Sequence, residues 1–474
     1  MTPVGLSSQE FRQLAERVLE IAADYLDELP DRSVPPSGSG GEINAIFHRD
    51  FPEKASPDAA IATLCDTVRY SRAQNGRFFA YVLGSGEPAA ATTDLLCSVL
   101  NQNVTAWRSS PAAAAIEHEV VHWLGTAIGC GGFGGILTGG GSSANLMGLA
   151  MARESKLAAN QIGLRSTPPH AVYASAQAHM SITKAVSLLG IGRDQLRLIP
   201  VDASFRMIPR ELENALRRDQ SHGILPIAVV ATAGTVNTGA VDPLPSIAEL
   251  AASYGAWLHV DGSYGALAAI ATPETFPGLS LADSLALDPH KWLYQPLDCG
   301  CLLHRHTDAA HSAFAQSGDY VRALSADPIE SFEFFEESIE LSRRFRALKL
   351  WFSLLYYGFE SFRDSIRKDL QHARRLREIL ERTPGLELMA PVELSAVCFR
   401  YTGEKPLPDA DVNQLNRRIL QTVNQRGRVY LSNAMLHAKF CLRACVVNHR
   451  TTDSDIDAIV PEILSSAREL QSGD

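Results

Sequence analysis

Asp283-Ser-Leu-Ala-Leu-Asp-Pro-His-Lys-Trp-Leu293 reads as a short buried strand that breaks at a proline and ends on a lysine. Leu285-Ala-Leu287 is the apolar run. Pro289 has no N–H to continue a ladder, so His290 and Lys291 fall just past the strand end. Beside the bulk of Trp292, a lysine amine can be stripped of water and form a Schiff base with a carbonyl. An isolated His-Lys pair is ordinarily a surface feature. Two other strand ends, at Gly139–Asn145 and His259–Gly265, change that reading.

Upstream, short apolar runs at Gly135–Thr138, Ala171–Ala174, Ile227–Thr232 and Ala256–Val260 alternate with helical patterns at 143–155 and 245–254. Runs that are apolar on both faces suit strands covered on both sides. The order predicts a mainly parallel sheet between helix layers, with ligands past the carboxyl ends of its strands. Gly139-Gly-Gly-Ser-Ser-Ala-Asn145 follows one strand and opens a helix. Its glycines let backbone approach an anion, and the helix start supplies unpaired N–H groups and a positive dipole end. Gly141, Ser142 and Ser143 are therefore candidate phosphate binders. The turn lacks the lysine of a P-loop and the spacing of a dinucleotide fingerprint. His259-Val-Asp-Gly-Ser-Tyr-Gly265 sets Asp261 at a second strand end, and Ser175-Ala-Gln-Ala-His179 sets His179 at a third. Alone, such an aspartate caps a turn and such a histidine caps a helix.

Together and in order, these stretches and Asp288-Pro-His-Lys-Trp292 resemble the motifs of the pyridoxal-phosphate (PLP) group II amino acid decarboxylases. The resemblance spans nearly the whole chain. It implies an α/β chain of PLP fold type I, aspartate aminotransferase-like, assembled as a homodimer. Residues 1–80 would be an N-terminal helical dimerisation segment, 81–354 a large PLP-binding α/β domain and 355–474 a small α+β C-terminal domain. The resemblance implies that Lys291 holds PLP, with Gly141, Ser142, Ser143, Asp288 and His290 near its phosphate. It places Asp261 at the pyridine nitrogen, where a carboxylate keeps the ring an electron sink, and Ser263, Thr235 and a stacking His179 around the ring. Asp288 stands where relatives often carry asparagine. Tyr81, Val82, Asn103, Thr105, Trp107 and Arg108 are implied to line the substrate pocket. Arg443 is implied to meet the substrate carboxylate, which a bidentate guanidinium suits. No metal site is expected.

Two departures bear on the reaction. Relatives that form amines carry a mobile-loop tyrosine that protonates the substrate carbanion. Counting back without gaps from Arg343-Arg344 puts Phe334 there, and no tyrosine occurs from Val321 to Leu355. A general acid typically contributes ~10²–10⁴-fold, and without one the carbanion is left to molecular oxygen. The resemblance then implies decarboxylation of an L-amino acid or amino-acid conjugate coupled to oxidative deamination. The products would be an aldehyde, CO2, ammonia and hydrogen peroxide, with Phe334 as a catalytic-site residue. The alternative is plain decarboxylation to an amine. The second departure is Val82, where aromatic decarboxylases have phenylalanine. With Asn103, Thr105 and Arg108 around Trp107, it argues against an aromatic substrate. Other PLP chemistry and a non-catalytic scaffold are the rivals. Lys291, Asp261 and His179 together oppose the scaffold.

The 474 residues are 46% hydrophobic and 20% charged with net charge -10, a balance that suits a soluble globular enzyme and not a nucleic-acid surface. The eight cysteines are scattered without zinc spacing and read as free thiols of a reducing compartment. No apolar run reaches the ~18 residues of a membrane span. The sequence turns polar by Ser7–Glu10, so the expected location is cytoplasmic, with no membrane partner. Ser7-x-x-Glu10 is a capping box opening a helix striped by Phe11, Leu14, Val18, Ile21 and Tyr25. Residues 31–55 read as an extended linker and Asp58–Tyr70 as a second helix. Further on, Arg363–Arg382 reads as a charged helix, Leu386–Met389, Ala396–Tyr401 and Phe440–Val447 as strands, and Asp455–Leu470 as a last helix.

Overall fold

Seven strands form the larger sheet: β1 (Gly134–Thr138), β2 (His170–Ser175), β3 (Leu196–Ile199), β4 (Leu225–Thr232), β5 (Trp257–Asp261), β6 (Ser284–Leu287) and β7 (Gly300–His304). The computed structural model describes residues 4–472 apart from 52, 55, 317–326, 328, 404 and 405. The strand order is β1-β7-β6-β5-β4-β2-β3. Strands β3, β2, β4, β5 and β6 run parallel, and β7 is antiparallel to both β6 and β1. Between β6 and β7 lies only the 4-residue helix Pro289–Trp292. It is too short to carry the chain back along the sheet, so β7 returns antiparallel. Every position of β5 and β6 is buried. The helix Gly141–Leu157 lies across β4 to β7 and covers one face of those buried strands.

The smaller sheet contains β8 (Leu386–Leu388), β9 (Ala396–Tyr401), β10 (Ser432–Leu436) and β11 (Lys439–Cys445), in the order β10-β11-β9-β8 and wholly antiparallel. A second core gathers under it, with Phe399, Leu442, Ile419 and Ile463 fully buried. At roughly 1.5–3 kcal/mol per buried large apolar side chain, such clusters dominate the folding energy.

Several expectations need correction. Residues 31–55 are not a plain linker: they contain a helix, Gly40–Phe47, opened by a reciprocal Ser39/Glu42 capping box. The glycine-rich surroundings hid that signal. The charged helix begins well before Arg363, at Ala347, and runs to Arg382 with a break at Gly358 (φ +75°). Strands β3, β7 and β10 were not foreseen. Each has only 4 or 5 residues, too few for a distinctive period. The helix Ser8–Glu28 has its capping box but buries none of its residues. Phe11, Leu14, Val18, Leu19 and Leu26 are left exposed on it. Among the described residues no helix is long and apolar enough to cross a membrane.

Candidate active site

The carboxyl ends of β1, β4, β5 and β6 open on one cavity of about 530 Å³. Lys291 reaches it from the short helix after β6, with Nζ 2.9 Å from Asp288 Oδ2. Trp292 turns the other way. It is fully buried and stacks on Tyr264 with ring centroids 5.9 Å apart, so it anchors the turn rather than covering the amine. His290 donates from Nδ1 to the Cys299 carbonyl at 2.7 Å, and its Nε2 lies 3.6 Å from Asp288 Oδ2. Burial holds the His290 pKa below its ordinary value.

At the other wall, the helix Gly141–Leu157 begins at the cavity edge. A Cβ at position 141 would sit 2.2 Å from Ser263 Oγ and 2.9 Å from Asp288 Oδ2. Only glycine lets the helix start come this close. Asp261 ends β5, buried, its Oδ1 accepting from the Ser263 N–H at 3.2 Å. Thr232 ends β4 directly beside it in register. Ser263 Oγ, Thr232 Oγ1 and Asp288 Oδ1 are buried and unpaired among the described residues. Buried polar atoms are nearly always paired, so three at one cavity mark the place of a polar group. A helix N-terminus with a glycine cradle suits a phosphate, Asp261 suits a protonated pyridine nitrogen, and Lys291 suits an aldehyde carbon. These residues fit PLP.

His179 caps the helix Met180–Leu188 at the cavity rim. Its Nδ1 lies 2.8 Å from Ser181 Oγ and accepts the Ser181 backbone N–H at 3.3 Å. Burial depresses its pKa, which favours the neutral ring.

A lysine, a strand-end aspartate and a glycine-bounded helix start around one cavity agree with what similar proteins show. The family model for the pyridoxal-dependent decarboxylase conserved domain matches residues 42–402. The chain belongs to this family. It is 32% identical over 471 residues to an aromatic-L-amino-acid decarboxylase of Bacillus atrophaeus, covering 98% of this chain and 97% of the relative. It is 30% identical to a 4-hydroxyphenylacetaldehyde synthase of Rhodiola rosea, covering 96% and 94%. The crystal structure of Oryza sativa TDC with PLP and tryptamine superposes with a TM-score of 0.92 at 27% identity, covering 99% of each chain. The fold is therefore PLP fold type I and the chain is a PLP-dependent decarboxylase, of a family with amine-forming and aldehyde-forming members.

Of the residues singled out from sequence, Gly141, Ser142, Ser143, His179, Asp261, Ser263, Asp288, His290 and Lys291 line this cavity. Tyr81, Val82 and Arg443 complete it toward the open side. Arg443 donates from Nε to Ser432 Oγ at 3.1 Å and from Nη1 to the Val236 carbonyl. Thr235 stands apart. It is fully buried, with its hydroxyl 2.8 Å from that of Thr238 and accepting the Ala240 N–H, so it ties a turn. Thr232 lines the cavity instead, and a strand-end threonine level with Asp261 is the signal that would have found it.

Phe334 is also elsewhere. Its ring is fully buried, 5.1 Å from His118 and with the Arg343 guanidinium carbon 4.6 Å from its centroid. The cause is Arg343, itself buried, which donates to Glu117 Oε1 at 2.5 Å, the Val104 carbonyl at 2.8 Å and the Leu137 carbonyl at 2.9 Å. The chain leading to Arg343 is pinned under it. Asn103, Thr105, Trp107 and Arg108 contact the same segment and do not line this chain's cavity. Asn103 Oδ1 accepts the Arg343 N–H at 2.8 Å, and Arg108 pairs with Glu333 at 2.9 Å. The Thr105 carbonyl accepts the Phe335 N–H, and the Trp107 N–H donates to Phe332. Met180, Val236 and Leu297 take the wall positions that sequence reasoning missed.

Proposed function

We propose that the chain decarboxylates an aromatic L-amino acid to the amine. The observation that carries this is the pairing of Lys291 Nζ with Asp288 Oδ2 at 2.9 Å inside the cavity. PLP, when bound, draws electrons from the substrate Cα so that CO2 can leave. The chain supplies the rest. The start of the helix Gly141–Leu157 with Ser142 and Ser143 would hold the phosphate, and Asp261 would keep a proton on the pyridine nitrogen. Arg443 would take the substrate carboxylate. Lys291 would hold the cofactor aldehyde and, as a free amine, would carry a proton on Nζ into the cavity, with Asp288 orienting it. That gives a proton donor independent of any loop tyrosine. Tyr81, Val82, Met180, Val236 and Leu297 offer an apolar wall for a flat side chain. The polar residues that argued against an aromatic substrate sit around the 332–343 segment.

A second reading is favoured by the missing tyrosine between Val321 and Leu355. In it, amino acid, O2 and water give aldehyde, CO2, ammonia and hydrogen peroxide. A panel of L-amino acids incubated in air and under nitrogen separates the two. Amine at equal rates in both gases supports the first reading. Oxygen uptake and peroxide in step with CO2 overturn it. Both readings carry a homodimer, supported by the unburied apolar face of the helix Ser8–Glu28, which a second copy would cover. Sedimentation tests that directly.

A further inference from the structure

A line of buried side chains runs from the amino end of β5 to His179. Trp257 Nε1 donates to Ser284 Oγ at 2.8 Å, and Ser284 Oγ lies 2.8 Å from His259 Nδ1. His259 Nε2 lies 2.8 Å from Asn145 Oδ1, and Asn145 Nδ2 donates to Ser181 Oγ at 2.9 Å. Ser181 Oγ then lies 2.8 Å from His179 Nδ1. Ser284 and His259 are fully buried, and Trp257, Asn145 and Ser181 nearly so. The helix above has been cut back to seat the central imidazole. A Cβ at Gly148 would stand 2.5 Å from both Cε1 and Nδ1 of His259.

Two groups on this line can only donate, the Trp257 indole N–H and the Ser181 backbone N–H, and they fix its direction. An indole N–H has no acceptor role, so Ser284 Oγ accepts from Trp257 and turns its own O–H to His259 Nδ1. The His259 proton is then on Nε2, Asn145 accepts it at Oδ1, and the Asn145 amide N–H goes to Ser181 Oγ. The Ser181 O–H is left for His179 Nδ1. From the other end, the Ser181 backbone N–H also points at His179 Nδ1. A ring nitrogen that receives two donors carries no proton of its own. Both ends therefore require the same arrangement. We propose that Trp257, Ser284, His259, Asn145 and Ser181 form a positioning chain that fixes the tautomer of His179, leaving its one N–H on Nε2 to face the cavity. There it can donate to the carboxylate of an amino acid and cannot act as a base from that atom. Complete burial pushes the His259 pKa down to about 4, which keeps the middle of the chain neutral, with Asp261 opposing. His179 is faced by Asp261 and Asp288 on the anionic side and by Lys291 and Lys184 on the cationic side.

The catalytic meaning of this chain rests on the decarboxylase reading, but the tautomer does not. The test is a long-range proton–nitrogen correlation spectrum of 15N-histidine-labelled protein, with PLP bound and after its removal, with His179 assigned by its loss in His179→Gln. Wild type should show the Nε2–H form in both states. Asn145→Asp substitutes a group that only accepts. The Ser181 O–H then turns to the new carboxylate, and His179 Nδ1 keeps only the Ser181 backbone donor, so the acid limb of kcat should move to higher pH. Ser181→Ala removes one of the two donors to Nδ1, so the imidazolium form and the acid limb of kcat should move to higher pH. In both variants kcat should fall, by about 10–100-fold if these groups weigh as much as those that orient a metal-bound imidazole. If Asn145→Asp does not fold, Ser181→Ala decides alone, since it deletes only a hydroxyl at a helix start. A wild-type Nδ1–H or imidazolium form at pH 7 overturns the proposal. So does a Ser181→Ala protein with an unmoved acid limb. Should no amino acid release CO2, the decarboxylase reading falls while the tautomer result stands.

Discussion

Phe334 is where sequence position and structure disagree, and it yields the sharpest test. Counting from Arg343 makes it a loop residue over the substrate, whereas the fold makes it part of the core. Its ring is fully buried between His118 and the Arg343 guanidinium. Truncating a buried phenylalanine costs ~3–5 kcal/mol, and a cation facing the ring contributes ~0.5–2 kcal/mol of that. Phe334→Ala should therefore lower the urea midpoint of the first unfolding transition by the equivalent of about 3–5 kcal/mol. Phe334→Tyr inserts a hydroxyl into a closed space, and a buried unpaired hydroxyl costs about 1–3 kcal/mol. It too should destabilise, with the ratio of amine to aldehyde unchanged. The assay is urea unfolding followed by tryptophan fluorescence, alongside mass spectrometry of products formed in air. If Phe334→Tyr is as stable as wild type and shifts that ratio, the residue visits the reacting carbon and the core placement is not the working one.

Gly141→Ala should weaken PLP binding, because the new methyl meets Ser263 Oγ at 2.2 Å and Asp288 Oδ2 at 2.9 Å. Overpacking of ~1–3 kcal/mol corresponds to about 5–150-fold in dissociation constant, read by absorbance titration of the cofactor-free protein. Asp369 predicts a pH effect on stability. It is fully buried, accepts from Tyr294 Oη at 2.8 Å and from the Asn448 N–H at 3.0 Å, and burial pushes its pKa from 3.8 up to about 8. Its folded pKa is the higher one, so its contribution is complete below the unfolded value and is lost as pH rises toward about 8. Asp369→Asn should flatten the fall in melting temperature between pH 4 and 8, and an unchanged slope would assign that fall to other groups.

The parts of the site set by one strand and the turn after it were legible without coordinates. Lys291, Asp261, Gly141 and His179 each follow an apolar run. A parallel sheet brings all such ends to one edge whatever lies between them. The motif spacing also carried the family, because the glycine turn, the aspartate and the lysine each answer a different charge on one cofactor. Where a residue's place depends on how a turn closes, the same reasoning did not decide it. Thr235 is three residues beyond Thr232, and only the turn closed by Thr238 and Ala240 decides which of the two threonines faces the cavity.

The larger miss has one physical origin. Arg343 served only as a counting anchor in the sequence, yet it is a buried cation. A buried cation must be answered, because leaving one unpaired costs several kcal/mol. The answer comes from Glu117, 226 residues away, and from two strand and loop carbonyls. Glu117 Oε1 also accepts the Leu137 N–H at 2.9 Å, so the pair is fastened to β1 itself. Once that pair forms, Phe334 must lie beneath the guanidinium and Asn103 must meet the Arg343 backbone. Residues 103–108 then hold the segment before Arg343 and do not line this chain's own cavity. One charge satisfied across the sequence therefore gathers around Arg343 five residues that the resemblance had implied for the substrate site.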